Sequence, residues 1–321
     1  MPKDVPVIDL QPYLTGKDKD SVVRQVADAC ERIGFLVVSG HGIRQEIIAN
    51  MLDASQRFFA LSEEAKMVNL PKDGEFRGYV PMAGSSLGRS LGIQAAPDLR
   101  EAFTINRVQD KSDAYFRNPA AGKLFADNIW PDATDVPGFR EAWTAYYLAQ
   151  ESLATSLMRV FALALGFPEQ FFDGKVDRHF SNMVAYHYPP IAAPPLPGQL
   201  RGGAHTDFGS LTLVYGHPSA RGLQVWNGTE WEDVPVAPDT FVVNLGDLMA
   251  QWTNDQWVST LHRVTNPPDG EWDRSRYSLV FFHQPNYDAV IDSLDRTHPA
   301  KYEPVTSGAH LFRKLSAMTV K

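Results

Sequence analysis

His205, Thr206 and Asp207 stand together, and in an extended chain residues two apart point the same way. The imidazole of His205 and the carboxylate of Asp207 can therefore converge on one point in space. A second histidine, His262, begins or precedes a later apolar segment. Two histidines and one carboxylate on one face make the donor set of a non-haem Fe(II) centre, which leaves positions open for a bidentate co-substrate and O2. An H-x-D triplet alone arises often by chance, and a surface His/Asp pair is the competing account. Weight comes from Arg276-Tyr277-Ser278, where residues two apart again share a face. A guanidinium fork beside a hydroxyl is a receptor for a carboxylate. Arg276 heads the apolar run Leu279-Val280-Phe281-Phe282, where a cation costs desolvation unless an anion meets it. An internal Asp or Glu is one such partner. A dicarboxylate reaching from a metal to Arg276 is the other, and it accounts for the triad as well.

Residues so far apart in the chain need a framework to bring them together. Short strands separated by Gly, Pro, Asn and Asp turns are predicted over 183–188, 210–215, 222–225, 231–234, 241–245, 262–264 and 277–283. That pattern argues for a mainly β core, a sandwich or barrel such as a jelly roll. Helical spacing of apolar residues predicts helices over 21–33, 45–60 and 307–317, with a helix start at Ser62. The longest helical candidate, 138–165, carries Trp143, Tyr146, Tyr147, Leu153, Leu157 and Phe161 on a wide apolar face, as a scaffold for a sheet would. A short strand is expected near Val5–Leu10 and a buried one over Phe35–Val38. Residues 71–137 read as loop-rich and 189–203 as a loop. The division expected is an N-terminal helical and loop region, 1–137, packed on 138–321, with the catalytic core at about 180–290 and the two acting as one unit.

Read together, these segments resemble the iron(II)/2-oxoglutarate-dependent oxygenases of the isopenicillin N synthase-like family. The resemblance runs along most of the chain: Val5-Pro6-Val7-Ile8-Asp9-Leu10, Gly34-Phe35 through Gly40-His41-Gly42-Ile43, Arg77-Gly78-Tyr79, and Asp98 through Phe103. It continues with Tyr188-Pro189-Pro190, His205-Thr206-Asp207-Phe208-Gly209, Gly222-Leu223-Gln224-Val225, Val243-Asn244-Leu245-Gly246-Asp247, Trp252 through Val264, and Arg276-Tyr277-Ser278. The resemblance implies a double-stranded β-helix, with Fe(II) held by His205, Asp207 and His262. It implies that 2-oxoglutarate chelates the iron, its far carboxylate bound by Arg276 and Ser278 with Tyr188 as a third donor. The reaction implied is oxidation of a small organic substrate by O2, as hydroxylation, desaturation or ring closure, coupled to decarboxylation of 2-oxoglutarate to succinate. The chain departs from the family at Met183-Val184-Ala185-Tyr186-His187, where an Arg or Asn is common, so Met183 or Tyr186 is expected to face the substrate.

Composition trims the alternatives. With 321 residues, 44% of them hydrophobic, the chain can bury a sizeable core. A net charge of −8 provides no basic footprint for nucleic acid, which disfavours a nucleic-acid demethylase. One cysteine, Cys30, permits no internal disulfide and reads as a small buried hydrophobe. No apolar stretch is long enough to span a bilayer, and the first residues lack a signal peptide, so no membrane partner, no obligate protein partner and a cytoplasmic location are expected. Two rival readings stay open: an isopenicillin N synthase-type oxidase without 2-oxoglutarate, and a metal-binding sensor barrel without turnover. Among lesser candidates, His41, His187 and His283 read as structural histidines, and His179, His217, His298 and His310 as loop or surface positions. Asp247 reads as a brace, Arg89 and Arg100 as candidates to pair with an acidic substrate although a solvated surface is the commoner fate, and Arg77, Tyr79 and residues 84–92 as the substrate-facing region outside the barrel. Phe103, Phe116, Phe281 and Phe282 suit either pocket or core, and the final helix reads as packing on the core.

Overall fold

A computed structural model describes residues 5–72, 75–82, 84, 86–88, 96–191, 194–216, 221–268 and 271–318. The chain begins with β1 (Val7–Asp9), the short α1 (Gln11–Leu14), α2 (Lys19–Arg32), β2 (Phe35–Ser39), α3 (Gln45–Phe59) and α4 (Glu63–Met67). Helix α2 starts two residues before the predicted point because the Asp18 side chain accepts the Ser21 N–H as its cap, and Ser62 caps α4 in the same way through Ala65. Strands β3 (Gly78–Val80) and β4 (Glu101–Ile105) follow, then the long α5 (Phe139–Ala164) and short α6 (Asp173–Val176). The rest is strand-rich: β5 (Asn182–Tyr188), β6 (Gly202–His205), β7 (Leu211–Gly216), β8 (Leu223–Trp226), β9 (Trp231–Asp233) and β10 (Phe241–Leu245). After α7 (Asp247–Trp252) come β11 (His262–Val264), β12 (Arg276–His283), β13 (Val290–Ile291), β14 (Val305–Thr306) and α8 (Ser307–Met318).

The strands make an eight-stranded sheet, β1-β2-β10-β7-β12-β5-β4-β3, and a four-stranded sheet, β6-β11-β8-β9, with β13-β14 a separate pair. Apart from the parallel pair β1-β2, the strands of both sheets run antiparallel. The large sheet is buried on both faces, and strict alternation along its central strands assigns the residues. Met183 and Ala185 of β5, Leu211, Leu213 and Tyr215 of β7, and Leu279 and Phe281 of β12 join one apolar cluster with α2, α3 and α5. The neighbours between them, Val184, Tyr186 and Tyr188, Thr212 and Val214, and Ser278, Val280 and Phe282, line a cavity instead. Helix α5 anchors the packed face through the fully buried Trp143, Tyr146, Tyr147 and Phe161. Such side chains each contribute roughly 1.5–3 kcal/mol of burial.

Three sequence expectations change here. Residues 71–137 are not loop throughout, since β3 and β4 extend the large sheet at its edge. Strand β4 is buried at all five positions, including Glu101 and Thr104, so it shows no polar–apolar alternation to read. The 189–203 loop ends early, because Gly202 and Gly203 already belong to β6. Nor are His179 and His310 at the surface. Both are buried, with the His179 Nε2 2.6 Å from Glu151. His217, Arg89 and much of residues 84–92 lie outside the described residues.

Candidate metal centre and co-substrate pocket

His205 closes β6 and His262 opens β11, and the two are direct partners across that strand pair. Asp207 follows two residues on, and its backbone carbonyl accepts the Asp247 N–H at 2.7 Å. One ligand atom from each of His205, Asp207 and His262 lies within 4.8 Å of the others, and all three residues are buried. The Asp207 Oδ1 is 3.6 Å from the His205 Nε2 and 3.7 Å from the His262 Nε2. What surrounds the three side chains settles which atoms are available. The His205 Nδ1 faces the Gly203 carbonyl at 2.8 Å and the His262 Nδ1 the Thr260 carbonyl at 3.1 Å, so each Nδ1 carries the proton and each Nε2 keeps a lone pair turned inward. The Asp207 Oδ2 accepts from Thr212 Oγ1 at 2.6 Å and Asn244 Nδ2 at 2.7 Å, which leaves Oδ1 for a metal. Thr212 and Asn244 are themselves opposite one another on β7 and β10.

Protonation states agree with this. Burial, then the neighbouring His262, push the His205 imidazole down to about 3, so it is neutral at physiological pH. Burial works against ionisation of Asp207, but His262, His205 and the hydrogen bonds from Asn244 and Thr212 outweigh it and hold the carboxyl below its usual range. A neutral imidazole on His205 beside an ionised carboxylate on Asp207 suits the binding of a divalent cation.

The cavity is about 600 Å³ and is walled by both sheets. Toward one end lie Arg276, Ser278 and Tyr188, with Arg276 opposite Tyr188 in the β12-β5 register. The Arg276 guanidinium lies over the Tyr188 ring, 4.8 Å from its centroid. Its Nε and Nη1 are buried with no hydrogen-bond partner, and burial lowers its pKa from the usual arginine value. An internal Asp or Glu, the alternative partner considered for Arg276, forms no ion pair with it among the described residues. A buried cation left this way costs several kcal/mol, on the order of 3–5, unless a ligand supplies the anion.

Several neighbours were not legible in the sequence. Arg100 is buried rather than solvated: it pairs with Asp98 at 3.4 Å, stacks on the Tyr186 ring at 4.0 Å and reaches the cavity wall. Of the two residues expected to face the substrate, Tyr186 lines the cavity and Met183 packs on the helices, as strand alternation requires. Phe282 lines the cavity, Phe103 and Phe281 sit in the helical core, and Phe116 packs against a smaller cluster with Phe125. Arg77 faces the cavity, whereas Tyr79 is turned into the core and donates to Glu101 at 2.5 Å. Helix α8 contributes Leu311, Phe312 and Leu315 to the cavity wall, more than core packing. Asp247 holds Thr206, Ser259 and Lys314 together through its carboxylate. His41 bonds Asp239 and the Ile43 N–H, His187 bonds Glu101, and His283 bonds Ser210.

Residues 179–285 match the model of the 2OG-Fe(II) oxygenase superfamily, and residues 5–133 match that of the non-haem dioxygenase in morphine synthesis N-terminal region. A 2-oxoglutarate-Fe(II) type oxidoreductase of Emericella nidulans is 36% identical over 95% of this chain and 87% of its own length. The chain is an iron(II)/2-oxoglutarate-dependent oxygenase of the isopenicillin N synthase-like family. This oxygenase is also similar to a homoarginine-6-hydroxylase of Glycine max, at 33% identity over 97% of this chain and 96% of the relative. Among solved structures, a full-length Neurospora crassa protein in complex with alpha-KG superposes with a TM-score of 0.85 at 29% identity, covering 98% of this chain and 96% of that one. The same Neurospora crassa protein has also been solved with alpha-KG and thymine. The oxygenase therefore uses iron and 2-oxoglutarate to oxidise small molecules on a jelly-roll core. No helix of the described residues is long and apolar enough to cross a membrane.

Proposed function

We propose that His205, Asp207 and His262 hold the iron, and that Arg276, Ser278 and Tyr188 bind the far carboxylate of 2-oxoglutarate. The observation that carries this reading is the pair of buried, partnerless nitrogens on Arg276, lining the same cavity as the three converging ligand atoms. Iron(II) with 2-oxoglutarate and O2 supplies the oxidising power for attack on an unactivated C–H bond, and 2-oxoglutarate leaves as succinate and CO2. The protein does the rest. Gly203 and Thr260 fix the two imidazole tautomers, and Thr212 and Asn244 fix the carboxylate. Val214, Leu223, Val280 and Phe282 exclude water and set which C–H bond approaches. We infer also that residues 1–137 and 138–321 act as one unit, because the large sheet draws β1–β4 from the first and the remaining strands from the second.

The test is anaerobic titration of the Fe(II)-loaded protein with 2-oxoglutarate, following the visible metal-to-ligand charge-transfer band. The expected result is a band that needs His205, is absent in His205→Ala, and requires far more 2-oxoglutarate in Arg276→Ala. Iron bound without any band in the wild type contradicts the co-substrate assignment, and absence of iron binding contradicts the ligand assignment.

A further inference from the structure

Three buried guanidinium groups line the one cavity: Arg77, Arg100 and Arg276. Arg100 has its counter-charge in Asp98, and Arg276 receives one from 2-oxoglutarate on the reading above. Arg77 has neither. It is 5% exposed, its Nη2 donates to the Leu124 carbonyl at 2.6 Å, and its Nε is buried without a partner. Glu75 lines the same cavity, and its charge favours the charged guanidinium, but the two form no ion pair.

The topology sets Arg77 far from the co-substrate end. Gly78, the next residue, is opposite Thr104 on β4, and Thr104 is opposite Val184, near the start of β5. Asn182 of β5 is opposite Phe282, near the end of β12, and Gln284 follows just beyond. Arg276 and Tyr188 occupy the other ends of those same two strands. From Ser278 to Phe282 the chain rises about 13 Å. Asn182, Phe282 and Gln284 share the cavity wall with Arg77, and the Gln284 Oε1 is also buried without a partner. Between those two ends the cavity wall is apolar where Val184 of β5 and Val280 of β12 stand opposite one another.

We infer that the prime substrate is a small organic acid whose carboxylate is bound by Arg77 at the end of the cavity remote from Arg276, with the amides of Asn182 and Gln284 taking its adjoining polar groups. The inference rests on the assignment of Arg276 to 2-oxoglutarate. A planar fork buried without a counter-charge favours a carboxylate over a neutral acceptor, because only an anion offsets the desolvation of the cation. The apolar middle of the cavity then carries the hydrocarbon part across the iron.

Calorimetry on anaerobic protein saturated with Fe(II) and 2-oxoglutarate tests this, with benzoate, phenylacetate, hydrocinnamate and hexanoate each measured beside its carboxamide. At least one acid is expected to bind about tenfold or more tightly than its amide. Arg77→Gln should abolish that preference, and Arg77→Lys should keep part of it, both with an unchanged 2-oxoglutarate titration. Acids that bind no better than their amides across the panel overturn the inference, as does a preference that survives in Arg77→Gln. Loss of 2-oxoglutarate binding in Arg77→Gln, equal to that in Arg276→Ala, overturns it too. Should the glutamine variant not fold, the wild-type comparison and the lysine variant decide. Failure of the parent assignment shows separately, as a missing charge-transfer band in the wild type.

Discussion

The two oxygens of Asp207 have different neighbours, and that difference is open to measurement. Oδ2 is held by Thr212 and Asn244, while Oδ1 faces the two imidazoles. Asn244→Leu should therefore leave the ligand set intact yet weaken Fe(II) binding by roughly 10–100-fold, as loss of an outer hydrogen bond to a metal ligand does. Competition with a chromophoric chelator reads this directly, and unchanged affinity would sink the proposed role. Arg276 makes a second test with two opposed readouts. Arg276→Leu removes a buried charge without a protein counter-ion, so the ligand-free protein should melt no lower than the wild type. The same change should weaken 2-oxoglutarate by about 2–5 kcal/mol. A variant that melts lower and still binds 2-oxoglutarate tightly contradicts both statements. That His205, Asp207 and His262 converge, and that Arg276 and Ser278 line one wall, was legible in the sequence because residues two apart in an extended chain share a face. Thr212 and Asn244 were not, since hydroxyls and amides are ordinary in strands and only the cross-strand register shows both meeting one carboxylate. The burial of Arg100 and His179 was not legible either, because the groups that cover them, Tyr186 over the guanidinium and Glu151 and Tyr147 beside the imidazole, lie far away in sequence.

At the scale of elements, the turn after Asp207 is fixed by close backbone approach. A Cβ on Gly209 would come within 2.3 Å of the His283 carbonyl oxygen, and one on Gly246 within 2.2 Å of the Gly209 carbonyl oxygen. These neighbours are backbone, so they cannot swing aside. Gly209→Ala and Gly246→Ala should each destabilise the fold by about 1–3 kcal/mol and displace Asp207, which stands two residues before one glycine and accepts a hydrogen bond next to the other. Denaturant melts with a parallel iron titration would check it, and wild-type values for both would count against the tight crossing. The strands over 182–188, 211–216, 241–245 and 276–283 were readable because each carries an apolar run bounded by turn residues. Strands β3, β4 and β6 escaped notice for contrary reasons. One is three residues long, one is buried at every position, and one opens on two glycines.

Across the whole molecule, buried histidines tie stability to pH. Burial, then His179, lower the His283 pKa well below 6.5, and burial, Lys314 and Arg313 bring His310 down to about 4. Both rings are neutral when folded and take up protons on unfolding, so the unfolded chain binds more protons below about pH 6.5. Stability contributed by these neutral rings is present above that point and declines as the pH falls toward the folded values, by up to about 1.4 kcal/mol per pH unit per ring. Urea unfolding of the metal-free protein at several pH values between about 7.5 and 5 should show this loss, flattened in His283→Asn. A pH-independent midpoint over that range would refute it. The alternation along β5, β7 and β12 has a consequence for heredity. Val184, Val280 and Phe282 line the cavity and belong to none of the apolar core clusters, whereas Ala185, Leu279 and Phe281 next to them hold the sheet to its helices. Mutation can thus explore the first set at little cost to folding, and a lineage descended from this chain can change its diet while keeping its skeleton. A single-codon deletion within β12 does the reverse, exchanging the two sets in one step, and natural variation should contain the first kind of change and lack the second.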